Sequence, residues 1–188
     1  MLFTTTLLLA LTSISLAAPS RHVNRPNRAV VSAISNLTIF TPPRNAGWTD
    51  PSVLYARSVI LPNGDLLATW ENYSPEPPLV YFPIFRSQDA GKTWKEISRV
   101  RDTVNNWGLR YQPDLYVLPV AIGSFPAGTL LASGNSIPTD LSKSKIDVYA
   151  STDSGLTWKF ASSVVSGGRA VPENQVRPAL IPIPPPLY

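Results

Sequence analysis

The chain has 188 residues, 44% hydrophobic and 15% charged, with a formal net charge of +4, 20 prolines, one histidine and no cysteine. That length suggests one domain, and the apolar content suits a buried core rather than a disordered polyampholyte. The missing thiols exclude cysteine nucleophiles, disulfides and thiolate zinc sites, and the dispersed lysines and arginines form no run that would track a nucleic acid.

Residues 1–17 contain a short apolar run ending in Ser15, Leu16 and Ala17, too short to span a bilayer. They read as a secretory signal peptide cleaved near Ala17 or Ala18, although no Lys or Arg precedes the apolar run; a buried N-terminal helix is the alternative. Residues 18–35 read as a disordered leader. It holds the only histidine, His22, so no Ser-His-Asp triad or histidine-ligated metal can be built. Asn36-Leu37-Thr38 is a glycosylation acceptor and fits a secreted, extracellular chain; Asn72-Tyr73-Ser74 is a second, weakened by Pro75.

From residue 53 onward the text predicts short strands. Residues 53–61 are apolar and β-branched and end at the turn signal Pro62-Asn63-Gly64. Residues 66–71, 80–86 and 94–100 complete a first set of four, and residues 114–118, 129–134, 146–150 and 158–165 a second. Prolines scattered through this text disfavour long helices.

A repeat organises these strands. Ser87, Asp89, Gly91, Thr93 and Trp94 share the pattern S-x-D-x-G-x-T-W with Ser151, Asp153, Gly155, Thr157 and Trp158, 64 residues later. Gly64-Asp65-Leu66-Leu67-Ala68 matches Gly128-Thr129-Leu130-Leu131-Ala132 at the same offset. The glycine allows the positive φ of a tight turn, the Asp and Ser side chains bond to the turn backbone, and the tryptophan packs between neighbouring sheets. The motif therefore reads as a structural staple between third and fourth strands. Asp89 and Asp153 should sit on different sheets, too far apart to act on one bond. A repeated four-strand unit predicts an all-β fold of propeller type, with about two blades at residues 50–101 and 107–166.

S-x-D-x-G-x-T-W resembles the Asp-box, or BNR repeat, of sialidases and related glycoside hydrolases, which also occurs in sorting receptors and non-enzymatic proteins. Residues 55–72 (YARSVILPNGDLLATWEN), 107–115 (WGLRYQPDL) and 128–135 (GTLLASGN) are similar to the first blades of fungal glycoside hydrolase family 93. The resemblance covers about residues 36–175. It implies a sialidase-type propeller of six blades around a central pocket, and exo-acting release of arabinobiose from linear arabinan with retention. It also implies a T-P-V-W-E-P-F strand after Gln175, where this chain instead reads VRPALIPIPPPLY over residues 176–188. That proline-rich tail is expected to make no blade, as an unspliced intron or misannotated gene model would produce.

Most glycosidases use two carboxyl groups, about 5–5.5 Å apart in retaining enzymes. By the resemblance, the catalytic glutamates lie in or after the missing W-E-P strand, so no residue here inherits the nucleophile role, and Glu173 falls at a variable position. Glu71 is a candidate for pocket or acid/base work, against a solvated strand end. Arg57, Trp107 and Arg110 are candidates for substrate contact: a planar guanidinium suits carboxylate or hydroxyl groups and an indole face suits a sugar ring. A sialidase needs several arginines around one carboxylate and only Arg57 fits by position, which favours the neutral arabinan.

The expectation is a truncated member of a secreted exo-glycoside hydrolase family, inactive as this chain. It needs no cofactor and no metal, takes an oligo- or polysaccharide substrate, binds no nucleic acid and no membrane after signal cleavage, and is monomeric at full length. The alternatives are a secreted, non-catalytic glycan-binding or receptor-like protein, and an unstable fragment without function.

Overall fold

The computed structural model describes residues 37–44 and 46–167. The signal segment, the leader, the acceptor Asn36, Glu173 and the proline-rich tail lie outside the described residues. Eight strands follow in order: β1 (Val53–Ile60), β2 (Leu66–Asn72), β3 (Phe82–Ser87), β4 (Lys95–Val100), β5 (Leu109–Val117), β6 (Leu130–Ser136), β7 (Ser144–Ser151) and β8 (Lys159–Gly167). They form two antiparallel meanders, β1-β2-β3-β4 and β5-β6-β7-β8. The architecture is all-β, two consecutive blades of an incomplete propeller, as the repeat predicts.

The first hairpin follows from its turn residues. Gly64 takes a φ of +91° and its N–H donates to the Leu61 carbonyl at 2.9 Å, while Asn63 Oδ1 accepts from the Asp65 N–H at 3.1 Å. β2 reads LLATWEN without polar alternation because both of its faces are covered. One face packs with Leu67, Phe82, Ile84 and Val100 against Leu109, Leu115, Leu130, Ala132 and Tyr149 of the second sheet. The other holds Ala68, Trp70 and Phe85 beneath Ile39 and Phe40. The Phe40 ring stacks on Trp70 with centroids 5.3 Å apart.

Close approach between the sheets requires Gly134, since a Cβ there would lie 2.3 Å from the Phe82 ring.

Among the strand boundaries that differ from the sequence prediction, two have a local cause in the structure. β5 starts at Leu109, not at 114, because the chain keeps pairing through two register shifts around Gln112, whose φ is +51°. That bulge accommodates Pro113 inside the strand without losing the ladder. β3 starts at Phe82, not at 80, because the Val80 carbonyl accepts from the Leu109 N–H of the other sheet at 3.1 Å.

Candidate functional site

The two repeated turns lie at the sheet end where β2 and β6 begin, since Leu66 pairs with Ser87 and Leu130 with Ser151. In the first, the Ser87 hydroxyl donates to Asp89 Oδ1 at 2.8 Å and accepts from the Gly91 N–H at 2.8 Å. Asp89 also accepts from the Thr93 N–H at 2.9 Å and the Thr93 hydroxyl at 2.6 Å. The second turn repeats this set with Ser151, Asp153, Gly155 and Thr157. Ala90 and Gly91, like Ser154 and Gly155, take consecutive left-handed conformations. The Thr93 hydroxyl and N–H, with the Ser87 hydroxyl, hold the Asp89 carboxyl down to about 2. Burial pushes Asp153 up, but its bonds from Thr157, Ser151 and Leu156 outweigh this and lower it. These carboxylates are spent on closing turns.

The other end of the sheets holds the chemistry. β1 and β5 begin there and β2 and β6 finish there. Glu71, near the end of β2, is 1% exposed. This corrects the solvated strand end weighed above: the first strands of both sheets run beside β2 and close over the side chain. Its Oε2 accepts from the Tyr73 hydroxyl at 2.7 Å, and its Oε1 from the Gln112 N–H at 2.5 Å. Burial raises the Glu71 carboxyl above its ordinary value, opposed by those two bonds and by the Arg57 charge. Tyr73 is raised in turn, by burial and then by Glu71. The Tyr111 ring stands 6.4 Å from the Tyr73 ring, tilted by 49°.

Backbone strain feeds this cluster. Tyr55 in β1 and Gln112 in β5 both have positive φ, each within a register shift of the first strand of its sheet. Non-glycine residues rarely adopt that conformation, and bulges of this kind re-aim backbone groups. At Gln112 the bulge turns the N–H onto Glu71.

The three substrate-contact candidates meet different fates. Arg57 is half-buried, donates to the Ala56 carbonyl at 3.2 Å, and sends its charge toward Glu71. Arg110 pairs with Glu76 at 2.9 Å and donates to the Ile137 carbonyl at 2.9 Å and the Thr139 hydroxyl at 3.2 Å, so its fork ties two loops to β5. Trp107 is half-buried, with the Lys145 ammonium 5.4 Å from its ring centroid and its N–H donating to Asp102 at 3.0 Å. Thus Glu71 and Arg57 are brought together, while Arg110, near the start of β5, and Trp107, in the loop before it, are engaged elsewhere. Among the described residues no group of three or more His, Cys, Asp or Glu side chains could hold a metal ion. An open hollow of about 530 Å³ runs along the seam between the sheets past Ile97, Ser98, Arg99 and Trp158, outside the Glu71 cluster.

No family model and no curated protein matches the chain. Solved structures do. The α-L-arabinofuranosidase of Fusarium graminearum, solved with arabinobiose and described as a GH93 enzyme, is 63% identical with a TM-score of 0.71. The match covers 73% of this chain and 38% of that one. The chain matches the N-terminal portion of glycoside hydrolase family 93. The α-L-arabinanase of Penicillium chrysogenum, complexed with arabinobiose, gives the same identity, coverage and TM-score. A mutant of the Fusarium enzyme with an iminosugar inhibitor is 62% identical over the same shares. The chain thus spans 38% of the length of these family 93 relatives.

Several residues of this family 93 portion escape a reading by sequence. Tyr111 and Gln112 reach Glu71 only because the second sheet packs against the first, Glu76 meets Arg110 for the same reason, and Tyr73 reaches Glu71 from two residues along the chain. The signal that was available is the Gln112-Pro113 pair inside a strand, which marks a bulge. Asp102 was equally silent. It accepts from the N–H groups of Val104, Asn105 and Trp107 and from the Ser136 hydroxyl, and so fixes the loop before β5. Burial pushes its carboxyl up, and these bonds outweigh it and bring it down.

Proposed function

We propose that this chain is the N-terminal part of a secreted, retaining exo-glycoside hydrolase acting on arabinan, and that alone it does not cleave. The observation that carries the reading is the 63% identity to two enzymes solved with arabinobiose, over blades that place Glu71, Arg57, Tyr73 and Tyr111 at one sheet end. A buried carboxylate, a cation and two aromatic rings suit the hydroxyls and the apolar ring face of a neutral sugar. In this reading the repeated turns are Asp-boxes that hold blades, and the leader directs export.

Cleavage with retention uses two carboxyl groups on one bond in most glycosidases. Both oxygens of Glu71 already accept hydrogen bonds, and its bonding partners are a tyrosine and a backbone amide. That favours positioning over proton transfer, and lends weight to a second reading in which the 188-residue form only binds glycans.

The test is to incubate the purified chain with linear arabinan and follow release by anion-exchange chromatography. No arabinobiose is expected above a buffer blank. Separately, arabinobiose titrated into the chain is expected to shift the Tyr73 and Tyr111 ring resonances, and Arg57→Ala to weaken this. Turnover overturns the inactivity; absence of any shift overturns the placement of the sugar. The N-terminus of the secreted product, read by mass spectrometry, is expected near Ala18.

A further inference from the structure

The open hollow along the seam takes one wall from each sheet. Glu96, Ile97, Ser98 and Arg99 border it in unbroken succession. It therefore follows the edge of β4, the outer strand of its sheet, where side chains from both faces of the strand can reach it. The opposite wall is the second repeated turn, with Thr157 and Trp158. Ser98 sets the spacing of the walls as a hydroxyl relay. The Trp158 indole N–H donates to Ser98 Oγ at 3.0 Å, and the Ser98 hydroxyl donates to the Gly155 carbonyl. In the first turn the same bond is direct, from Trp94 Nε1 to the Gly91 carbonyl at 3.0 Å. Walls pinned in this way lower the ordering cost of binding between them.

Three kinds of group border the hollow. Arg99 and Arg101 are exposed and stand two residues apart, with their guanidiniums 4.5 Å and 4.7 Å from the centroid of one ring, that of Tyr81. Glu96 answers Arg99. Arg101 has no carboxylate partner among the described residues, so two like charges share one ring and one counter-charge. Trp158 is half-buried, and because its N–H is spent on Ser98, its ring is what it offers a ligand. The Thr157 hydroxyl donates to Asp153 Oδ2 at 2.5 Å, which leaves its oxygen to accept. A planar fork suits a carboxylate, an indole face suits ring C–H groups, and a hydroxyl oxygen suits a sugar O–H. A uronic acid residue presents all three. The volume of about 530 Å³ lies within the range of about 300–1,000 Å³ of small-molecule sites.

We infer that the seam hollow is a second saccharide site, separate from the Glu71 cluster, that takes an acidic glycan: the Arg101 guanidinium holds a uronate carboxylate while the Trp158 ring holds the sugar face. A compact anion such as phosphate would use the guanidiniums and leave the indole and the Thr157 oxygen idle. A neutral sugar would use the indole and leave Arg101 without its counter-charge. The net charge of +4 favours the approach of a polyanion. The inference does not rest on the Glu71 cluster binding arabinobiose, since the residues, the place and the ligand charge all differ.

The test titrates a trimer of galacturonic acid into the full chain, isotope-labelled, and follows its amide and indole N–H resonances. Saturable shifts are expected at the Trp158 indole N–H and at the Arg101 and Thr157 amides. The methyl ester of the same trimer keeps the sugar face and removes the charge, and is expected to bind about tenfold more weakly or worse, as for a lost charge-assisted bond. Arg101→Gln, a change at an exposed side chain, is expected to weaken the acid about three- to tenfold and leave the ester unaffected. Absent shifts, equal binding of acid and ester, or an Arg101→Gln chain that binds the acid as the parent does, each overturn the inference. Inorganic phosphate that displaces the trimer at equal concentration shows a plain anion patch and overturns the saccharide. Arabinobiose that moves the Trp158 indole as strongly as the trimer overturns the role of the carboxylate. Shifts confined to the Tyr73 and Tyr111 rings place the trimer at the Glu71 cluster and overturn the second site.

Discussion

Glu71 is held in two opposing ways, and the balance can be measured. Burial disfavours its charge, while the Tyr73 hydroxyl, the Gln112 N–H and Arg57 favour it, with burial prevailing. A carboxyl raised in the folded state binds its proton more tightly there than in the unfolded chain. Folding stability therefore falls as pH rises through the window that starts near the ordinary 4.5. Glu71→Gln keeps an oxygen for the Gln112 N–H and removes the titration, so relative to the parent it is expected to gain stability from pH 4 to pH 7 in urea unfolding. A constant difference across that range would mean that the carboxyl is not raised. Asp89 gives the opposite sign. Its carboxyl is held at about 2 by the Thr93 hydroxyl and N–H and the Ser87 hydroxyl, against an ordinary 3.8. Its contribution is present above 3.8 and lost as pH falls through about 2. The Thr93 amide proton is expected to titrate with a midpoint near 2; a midpoint near 3.8 would show the turn bonds broken in solution.

Strands and turns of this chain owe their places to contacts on both sheets. Gly134 of β6 is the clearest case, with the Phe82 ring of β3 where a methyl would stand. Gly134→Ala is expected to destabilise by about 1–3 kcal/mol, the usual range for overpacking a filled core. Shrinking the ring as well, with Phe82→Leu, is expected to recover part of that loss, so the two changes should couple in a double-mutant cycle read by urea unfolding. Removal of the relay hydroxyl by Ser98→Ala is expected to cost about 1 kcal/mol. Strictly additive effects at Gly134 and Phe82 would deny the contact. Such contacts also set what could be read beforehand. The 64-residue repeat, the Pro62-Asn63-Gly64 turn and the two tryptophan-ended motifs made the eight strands and their division into two sheets legible, because each signal is local. The start of β5 was not, because alternation breaks at the Gln112 bulge and pairing to β6 continues regardless. The burial of Glu71 was not either: nothing near Trp70-Glu71-Asn72 says that a strand 41 residues further on will lend an N–H. Nor was the partner of Arg110, a candidate for substrate contact, because Glu76 lies 34 residues away between β2 and β3.

At the scale of the molecule the two blades are treated unequally. The outer face of the first sheet lies under Ile39 and Phe40, with Trp48 against Phe40. The outer face of the second has no such cover among the described residues, and eight of the nine residues of β8 are exposed. Val165 sits on that face opposite Ile146, and Val164 beside it is more exposed still. An apolar sheet face next to an edge strand is a template for association, and a net charge of +4 on 188 residues opposes it weakly. Val165→Lys adds charge on the face itself. Its cost to folding is expected to stay within about 0.5 kcal/mol, as for other surface changes, while the concentration at which light scattering rises is expected to increase. Thr152→Lys adds the same charge in an exposed position of the second turn, off that face. If both variants delay scattering equally, net charge governs solubility; if only Val165→Lys does, the uncovered face of the second blade is the surface through which the chain associates.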